Sequence, residues 1–293
     1  MKKNKKVFSN TGAFWLFVSP ALVLFSLFFI IPLFLSIGLS FTNYDGWKTI
    51  EFVGLDNFIK LFQSADFYKA IGRTFIYALF SLPFKVIVPL FIAMLATSKF
   101  LKGNTIVRAC TYIPVLISAL VVGITINWMF GQEYGLVNFI IQYFGGKPLE
   151  WALNPILATF VISFASNWAS TGFYMIMFIG GIKNIPEEVY EASNVDGATG
   201  LQAFFRITVP MLMPTTFIVL LLSSVSLLKE YALVQGITAG GPGTSTTYII
   251  QYMFDQGFTQ YRYGYASAVG VVLSLIFIVI AVAQFKFTKG GEV

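Results

Sequence analysis

The sequence has no histidine, one cysteine and little charge: Asp, Glu, Lys and Arg together supply only 11% of its 293 residues. A soluble globular domain carries about 25% charged residues, so an ordinary water-exposed protein is excluded. Without histidine, the commonest general base and metal ligand at neutral pH is missing. Cys110 alone cannot make an internal disulfide, and its place in an apolar run assigns it to packing. Serines and threonines are scattered without a partner base, so no catalytic or metal-binding constellation is expected. The 19 basic residues are dispersed to the ends of apolar runs, which argues against a nucleic-acid surface.

What is plentiful is apolar sequence, at 57% hydrophobic residues and a mean hydropathy of +0.77. Six runs stand out, about Phe14–Leu39, Ile71–Thr97, Ile106–Phe130, Pro155–Gly181, Pro214–Gln235 and Gly264–Phe287. Each is long enough to cross a bilayer at roughly 20 residues per span. None alternates in the ten-residue rhythm of barrel strands, so the fold class is an all-α polytopic membrane protein with six transmembrane helices. Pro20, Pro32, Pro83, Pro89 and Pro114 lie inside these runs and predict kinked or unwound spans, tolerated where neighbours satisfy freed carbonyls. Lys2, Lys3, Lys5 and Lys6 resemble the start of a signal peptide. The run that follows is too long and lacks a small-residue cleavage site, so an uncleaved first span is expected.

Orientation follows from the basic residues. With the N-terminus inside, the cytoplasmic side holds Lys2, Lys3, Lys5, Lys6, Lys99, Lys102, Arg108, Lys183, Arg206, Lys286 and Lys289. The outer side holds Lys48, Lys60, Lys69, Arg73, Lys147 and Arg262, a clear minority. Six spans then place both termini in the cytoplasm. The expected organisation is a tail at 1–13, a membrane domain at 14–287 and a tail at 288–293. External segments fall at 41–70 and 237–263, and a cytoplasmic loop at 183–212.

That loop is the longest polar break in the second half. It carries Glu187, Glu188, Glu191 and Asp196. Asn184 with Glu187 reads as a helix start with Pro186 in its first turn. Asp196-Gly197 reads as a stop, because glycine takes the positive φ that ends a helix. Thr199 and Gln202 form a second capping box, and the helix they open is expected to end before Pro210. The result is a short helix, a tight turn and a second short helix. Ala192 and Ser193 offer a small-residue face, and the carboxylates suit partner arginines, although acids at a helix N-terminus also simply complement its dipole.

The pattern Glu191-Ala192-Ser193, three residues, Gly197, nine residues, Ile207-Thr208-Val209-Pro210 resembles the EAA loop of permease subunits in binding-protein-dependent ABC importers. Ser193 and Val209 are small departures from the usual Ala and Leu. Further likeness to the sugar-importer branch lies in Phe41-Thr42-Asn43-Tyr44-Asp45, in Val53–Phe58, in Gly135-Leu136-Val137-Asn138, and in Ala239–Thr244 followed by Tyr265–Ala268. Val53–Phe58 opens an amphipathic helix with Phe58, Leu61 and Phe62 on one side, which equally suits an interfacial helix. The glycine-rich Ala239–Thr244 lacks the Lys-Ser/Thr of a phosphate loop. Trp128, Trp151 and Trp168 fit interface belts, Trp151 best. Tyr248, Tyr252, Phe254, Tyr261 and Tyr263 suit a headgroup-level helix and contact with an external partner.

The resemblance implies an ABC importer type I permease fold, like the maltose and glycerol-phosphate importers and on the MalF-like side of the usual pair. It implies a docking role for Glu187, Glu188, Glu191, Ala192, Ser193, Asp196 and Gly197. It also implies a second homologous permease, two ABC ATPase subunits and an extracellular or periplasmic substrate-binding protein, in a bacterial inner membrane. ATP and Mg would be used by the ATPase partners and no cofactor by this chain.

For the pathway, charges inside spans are functional candidates by default: Lys85, between Pro83 and Pro89, and Lys229 with Glu230. Asn127, Asn167, Trp168, Tyr174 and Tyr231 join them, because sugars are bound by planar hydrogen-bonding groups and aromatic faces. Each also suits interhelical bonding. Relatives often place an acid at the position of Ala232; here it stands earlier. A carbohydrate is the expected solute, with polyols and glycerol phosphates as alternatives. An ion-coupled carrier is disfavoured, since no internal repeat or proton relay is visible.

Overall fold

The computed structural model describes residues 11–47, 50–98 and 103–288. Lys2, Lys3, Lys5, Lys6, Lys48, Lys99, Lys102 and Lys289, which carry much of the charge asymmetry, lie outside the described residues. Among these residues the chain is helical, apart from one isolated antiparallel bridge between Thr42 and Phe52. Phe14–Leu39, Ala65–Thr97, Pro155–Lys183 and Tyr263–Phe287 are long and apolar enough to cross a membrane. Two further expected spans are bent pairs: Asn104–Leu116 with Ala119–Met129 at 100°, and Gly200–Met211 with Met213–Leu228 at 65°.

The bends have local causes. Pro114 sits in a tight turn at Ile113–Leu116, after which Ile117 and Ser118 are extended at ψ 136° and 134°. Ile106–Phe130 is therefore two helices, as proline and an extended residue demand. Pro83 and Pro89 do the opposite of what was expected. The 33-residue helix Ala65–Thr97 runs unbroken through both. Pro210 also fails to end its helix: the wide turn Phe204–Thr208 carries the chain through to Met211. Wide turns relieve the clash between a proline ring and the carbonyl four residues back. The break comes instead at Leu212.

The chain divides into two units, one comprising the residues to Gln63 with Met253–Ser274, the other Ser64–Tyr252 with the residues from Leu275. In the first, Asn57 is buried and donates to Ser40 O at 2.9 Å and Thr42 O at 2.7 Å. The Phe41–Asp45 and Val53–Phe58 motifs are thus one clamp. The bridge at Thr42 is reinforced by Asn43, whose amide donates to Glu51 Oε2 and accepts from Glu51 N. Gly264 packs so closely that an added Cβ would lie 2.0 Å from Thr42 O. Phe14–Leu39 presents its apolar side chains outward along its length.

In the second unit, Ala65–Thr97, Pro155–Lys183, Ala119–Met129 and Ala232–Ile237 enclose a core around Tyr77, Ile162, Leu227 and Val234. A neighbouring core gathers Ala93, Met175, Phe178 and Val219. Trp151 is buried rather than at a belt. Its indole N–H donates to Asn138 Oδ1 at 2.9 Å, and Asn138 also holds Leu149 N, Leu149 O and Gln132 O. Tyr248 and Tyr252 are likewise buried, Tyr248 stacked on Tyr77 at 4.7 Å, whereas Phe254 and Tyr261 stay exposed.

Gly123 and Gly236 face each other backbone to backbone. An added Cβ on Gly236 would meet Leu120 O at 2.8 Å and Gly123 Cα at 2.9 Å, and one on Gly123 would meet Leu233 O at 2.7 Å. Small residues permit such approach between membrane helices. Asn127 locks the contact by donating to Ile237 O at 2.7 Å. Gly236→Val should therefore destabilise the chain by about 1–3 kcal/mol through overpacking, read as a lowered thermal-unfolding midpoint in detergent. Gly180→Ala, where nothing lies within 4 Å of the new Cβ, should not lower that midpoint.

Candidate functional site

Two helices build a buried polar seam. Tyr77, Ser81 and Lys85 recur every four residues on Ala65–Thr97, which places them on one stripe. Pro155–Lys183 answers with Ser163, Ser166, Asn167, Ser170 and Tyr174. Ser81 Oγ and Ser163 Oγ are 2.7 Å apart. Lys85 is only 2% exposed; its ammonium donates to Ser166 O at 3.2 Å and Ser170 Oγ at 2.7 Å, 5.8 Å from the centre of the Tyr174 ring. Lys85 thus emerges from a continuous helix into a packed contact, not from broken geometry between two prolines.

Glu230 closes the seam from a third element. The expected span Pro214–Gln235 is interrupted: Met213–Leu228 ends at Lys229, and Tyr231 takes φ −138°, ψ −62° before Ala232–Ile237 begins. Gln251 stabilises the break by donating to Tyr231 O at 3.2 Å. At the break Glu230 accepts from Ser166 Oγ at 3.2 Å through Oε2 and interacts electrostatically with Lys85. Ser166 therefore serves both charges, its carbonyl taking the lysine and its hydroxyl the glutamate. Glu230 is half-buried and Tyr231 half-exposed beside it, while Lys229 is exposed with its ammonium 5.6 Å from the Phe277 ring centre.

Beside the seam lies a cavity of about 470 Å³. Phe80, Phe84, Phe164 and Trp168 give it aromatic walls, and Cys110, Asn167 and Thr171 its polar atoms. Asn167 donates to Ser163 O at 2.8 Å, but its Oδ1 is buried without a hydrogen-bond partner. Of the pathway candidates, Lys85, Asn167, Trp168, Tyr174 and Glu230 meet around this seam and cavity, while Tyr231 follows Glu230 at the break with its carbonyl taken by Gln251. Lys229 is turned to Phe277, and Asn127 is engaged with Ile237. The serines at 163, 166 and 170 do not stand out in the sequence. Their three- and four-residue spacing with Asn167 and Tyr174 is the signal that would have found them.

The second candidate surface is the loop at 183–212. Pro186, not Asn184, precedes the first turn of the helix Glu187–Val195, because Asn184 is spent ending Pro155–Lys183. That helix stops at Asp196 with Gly197 at φ +74°; Gly197 N bonds Asn194 O at 3.1 Å and Ala198 N bonds Ser193 O at 2.9 Å. These two bonds are the paired closure that a left-handed glycine allows. Thr199 and Gln202 form the expected reciprocal cap. Glu187, Glu188, Glu191, Ala192, Asp196 and Gly197 are exposed. Ser193 is not part of that face: it is buried and donates to Tyr190 O at 2.9 Å. Large apolar side chains of the loop are exposed, Val195 at 88%, Leu201 at 72% and Phe205 at 65%.

The chain is similar to known proteins over nearly its whole length. The family model described as "Binding-protein-dependent transport system inner membrane component" matches residues 62–289. The probable ABC transporter permease protein YesP of Bacillus subtilis is 33% identical, over 98% of this chain and 93% of its own. The arabinooligosaccharides transport system permease protein AraP of the same organism is 31% identical, over 96% and 90%. A crystal structure of a bacterial ABC transporter involved in the import of the acidic polysaccharide alginate superposes with a TM-score of 0.83 at 26% identity, covering 95% of each chain. This chain belongs to the inner-membrane component family of binding-protein-dependent transport systems, and is a multi-pass membrane protein.

Proposed function

We propose that this chain is one of two permease subunits of an ATP-driven importer for a neutral carbohydrate. It contributes half of the translocation pathway through the seam at Lys85, Ser166 and Glu230. The reading rests chiefly on the loop at 183–212, an exposed acidic and apolar surface closed by a rigid glycine turn in a chain of this family. Carboxylates at Glu187, Glu188 and Glu191 suit arginines on an ATPase subunit. Val195, Leu201 and Phe205 add exposed apolar side chains that a partner could cover. Six spans, both termini and this loop on the cytoplasmic side of a bacterial inner membrane accommodate that partner.

The remaining partners are a second, homologous permease, a second ATPase subunit and an external substrate-binding protein. The outward apolar surface of Phe14–Leu39 suits lipid and the second permease. In the working cycle, closure of the ATPase pair around ATP and Mg moves the loop, and the attached helices rock to open the pathway outward. The binding protein releases its sugar there, and hydrolysis restores the inward state. The chain itself needs no cofactor for this part.

A neutral solute is favoured over an acidic one of the alginate type. A carboxylate stands in the seam, while Arg73 and Arg108 donate to the carbonyls of Thr244 and Ala96, away from the residues that form it. A carbohydrate fits the planar amide of Asn167 and the aromatic wall of Trp168 beside it. Polyols share that chemistry. An ion-coupled carrier would need a relay of titratable groups through the bundle, and the seam offers one carboxylate.

Two substitutions test this reading. Gly197→Val has space for its side chain but not the backbone freedom, since left-handed geometry costs a branched residue about 1–2 kcal/mol. The importer should still assemble while substrate-stimulated ATP hydrolysis falls several-fold, and Gly197→Asn should retain most of it; coupling unaffected by the valine would remove the docking role. Glu230→Ala should cut sugar uptake by an order of magnitude or more, a loss of about 1.4 kcal/mol or greater, with recovery of the complex from membranes little changed. Should recovery fall and uptake per complex stay constant, Glu230 merely ties helices together.

A further inference from the structure

We infer that Lys85 is a positioning residue that fixes the charge of the pathway without touching what passes through it. This rests on reading the seam as part of the pathway. Lys85 is 2% exposed and reaches Glu230 only across Ser166, whereas Glu230 is half-buried and Lys229 points its ammonium at Phe277. On this reading the solute side of the seam presents the partly exposed Glu230, and the protein side the buried ammonium of Lys85.

The arrangement has a chemical purpose. An ionised carboxylate is a stronger acceptor for sugar hydroxyls than an amide, but unpaired and removed from water it is costly. A buried cation one residue away cancels its charge and leaves its lone pairs available. Ser166 transmits this: its carbonyl accepts from Lys85 while its hydroxyl donates to Glu230, and Ser170 Oγ takes a second ammonium proton. Three polar groups on one helix thus hold both ions in register. The site combines strong acceptors with no net charge, which suits an uncharged, hydroxyl-rich solute and disfavours selection of cations.

The test reads local charge directly, in the assembled importer carrying Cys110→Ala. Glu230→Cys places a thiol at the seam, and its modification by an anionic and a cationic methanethiosulfonate is compared, each normalised to the rate with a free thiol. With Lys85 present, the anionic reagent should be favoured at least about fivefold. Lys85→Met should bring the ratio to about one, and Lys85→Arg should restore it. A ratio that Lys85→Met leaves unchanged overturns the inference while keeping the seam in the pathway. A thiol that neither reagent reaches removes the seam from the pathway, and the inference with it. Recovery provides a second measurement if single variants assemble poorly: Lys85→Met with Glu230→Gln should be recovered better than Lys85→Met alone. Equal recovery of the two contradicts charge compensation.

Discussion

A membrane interior offers no water to a stranded ammonium, so Lys85 must find its partners within the protein. It finds them in the carbonyl of Ser166 and the hydroxyl of Ser170, and that need organises the helices around it. Ala65–Thr97 and Pro155–Lys183 are drawn together along a stripe of hydroxyls, with Ser81 meeting Ser163 one turn away. The break at residues 229–231 follows from the same requirement. A continuous helix would not place Glu230 against Ser166 and leave the Tyr231 carbonyl for Gln251.

The rest of the second unit supports this seam by close backbone packing instead of polar contact. Gly123 against Gly236 lets Ala119–Met129 and Ala232–Ile237 move as one piece, fastened by Asn127. Gly172 plays the same part where an added Cβ would lie 2.4 Å from Thr111 O. Bends beside Pro114 and at Leu212 separate these tightly joined pieces. A bundle made of rigid pieces and local breaks can pass a displacement from one end to the other without unfolding.

Much of this was legible in the sequence, for identifiable reasons. Apolar runs of membrane length, the Thr199–Gln202 cap and the Gly197 turn are local signals, and the structure contains each of them. Features set by partners distant in sequence were not legible. Pro83 and Pro89 look like breakers until the helix is seen buttressed by Pro155–Lys183. Trp151 looks like a belt residue until Asn138, thirteen positions earlier, takes its indole hydrogen. Ser193 looks like part of a docking face until its hydroxyl is found turned to Tyr190. Lys85 and Glu230 were visible as charges in apolar surroundings, but the serine that joins them was not, because serine is unremarkable in composition and acts here only by position.

The loop at 183–212 exposes a face carrying Glu188, Glu191 and Ala192. Under the proposed function, this face is where an ATPase subunit delivers its work to the bundle. Cross-linking in native membranes tests it most directly, with Ala192→Cys in the Cys110→Ala chain and cysteines placed on the co-expressed ATPase subunit. A permease–ATPase adduct, with the thiol shielded from impermeant reagent added outside intact cells, is the predicted result. A thiol labelled from outside, with no adduct formed, would contradict the account.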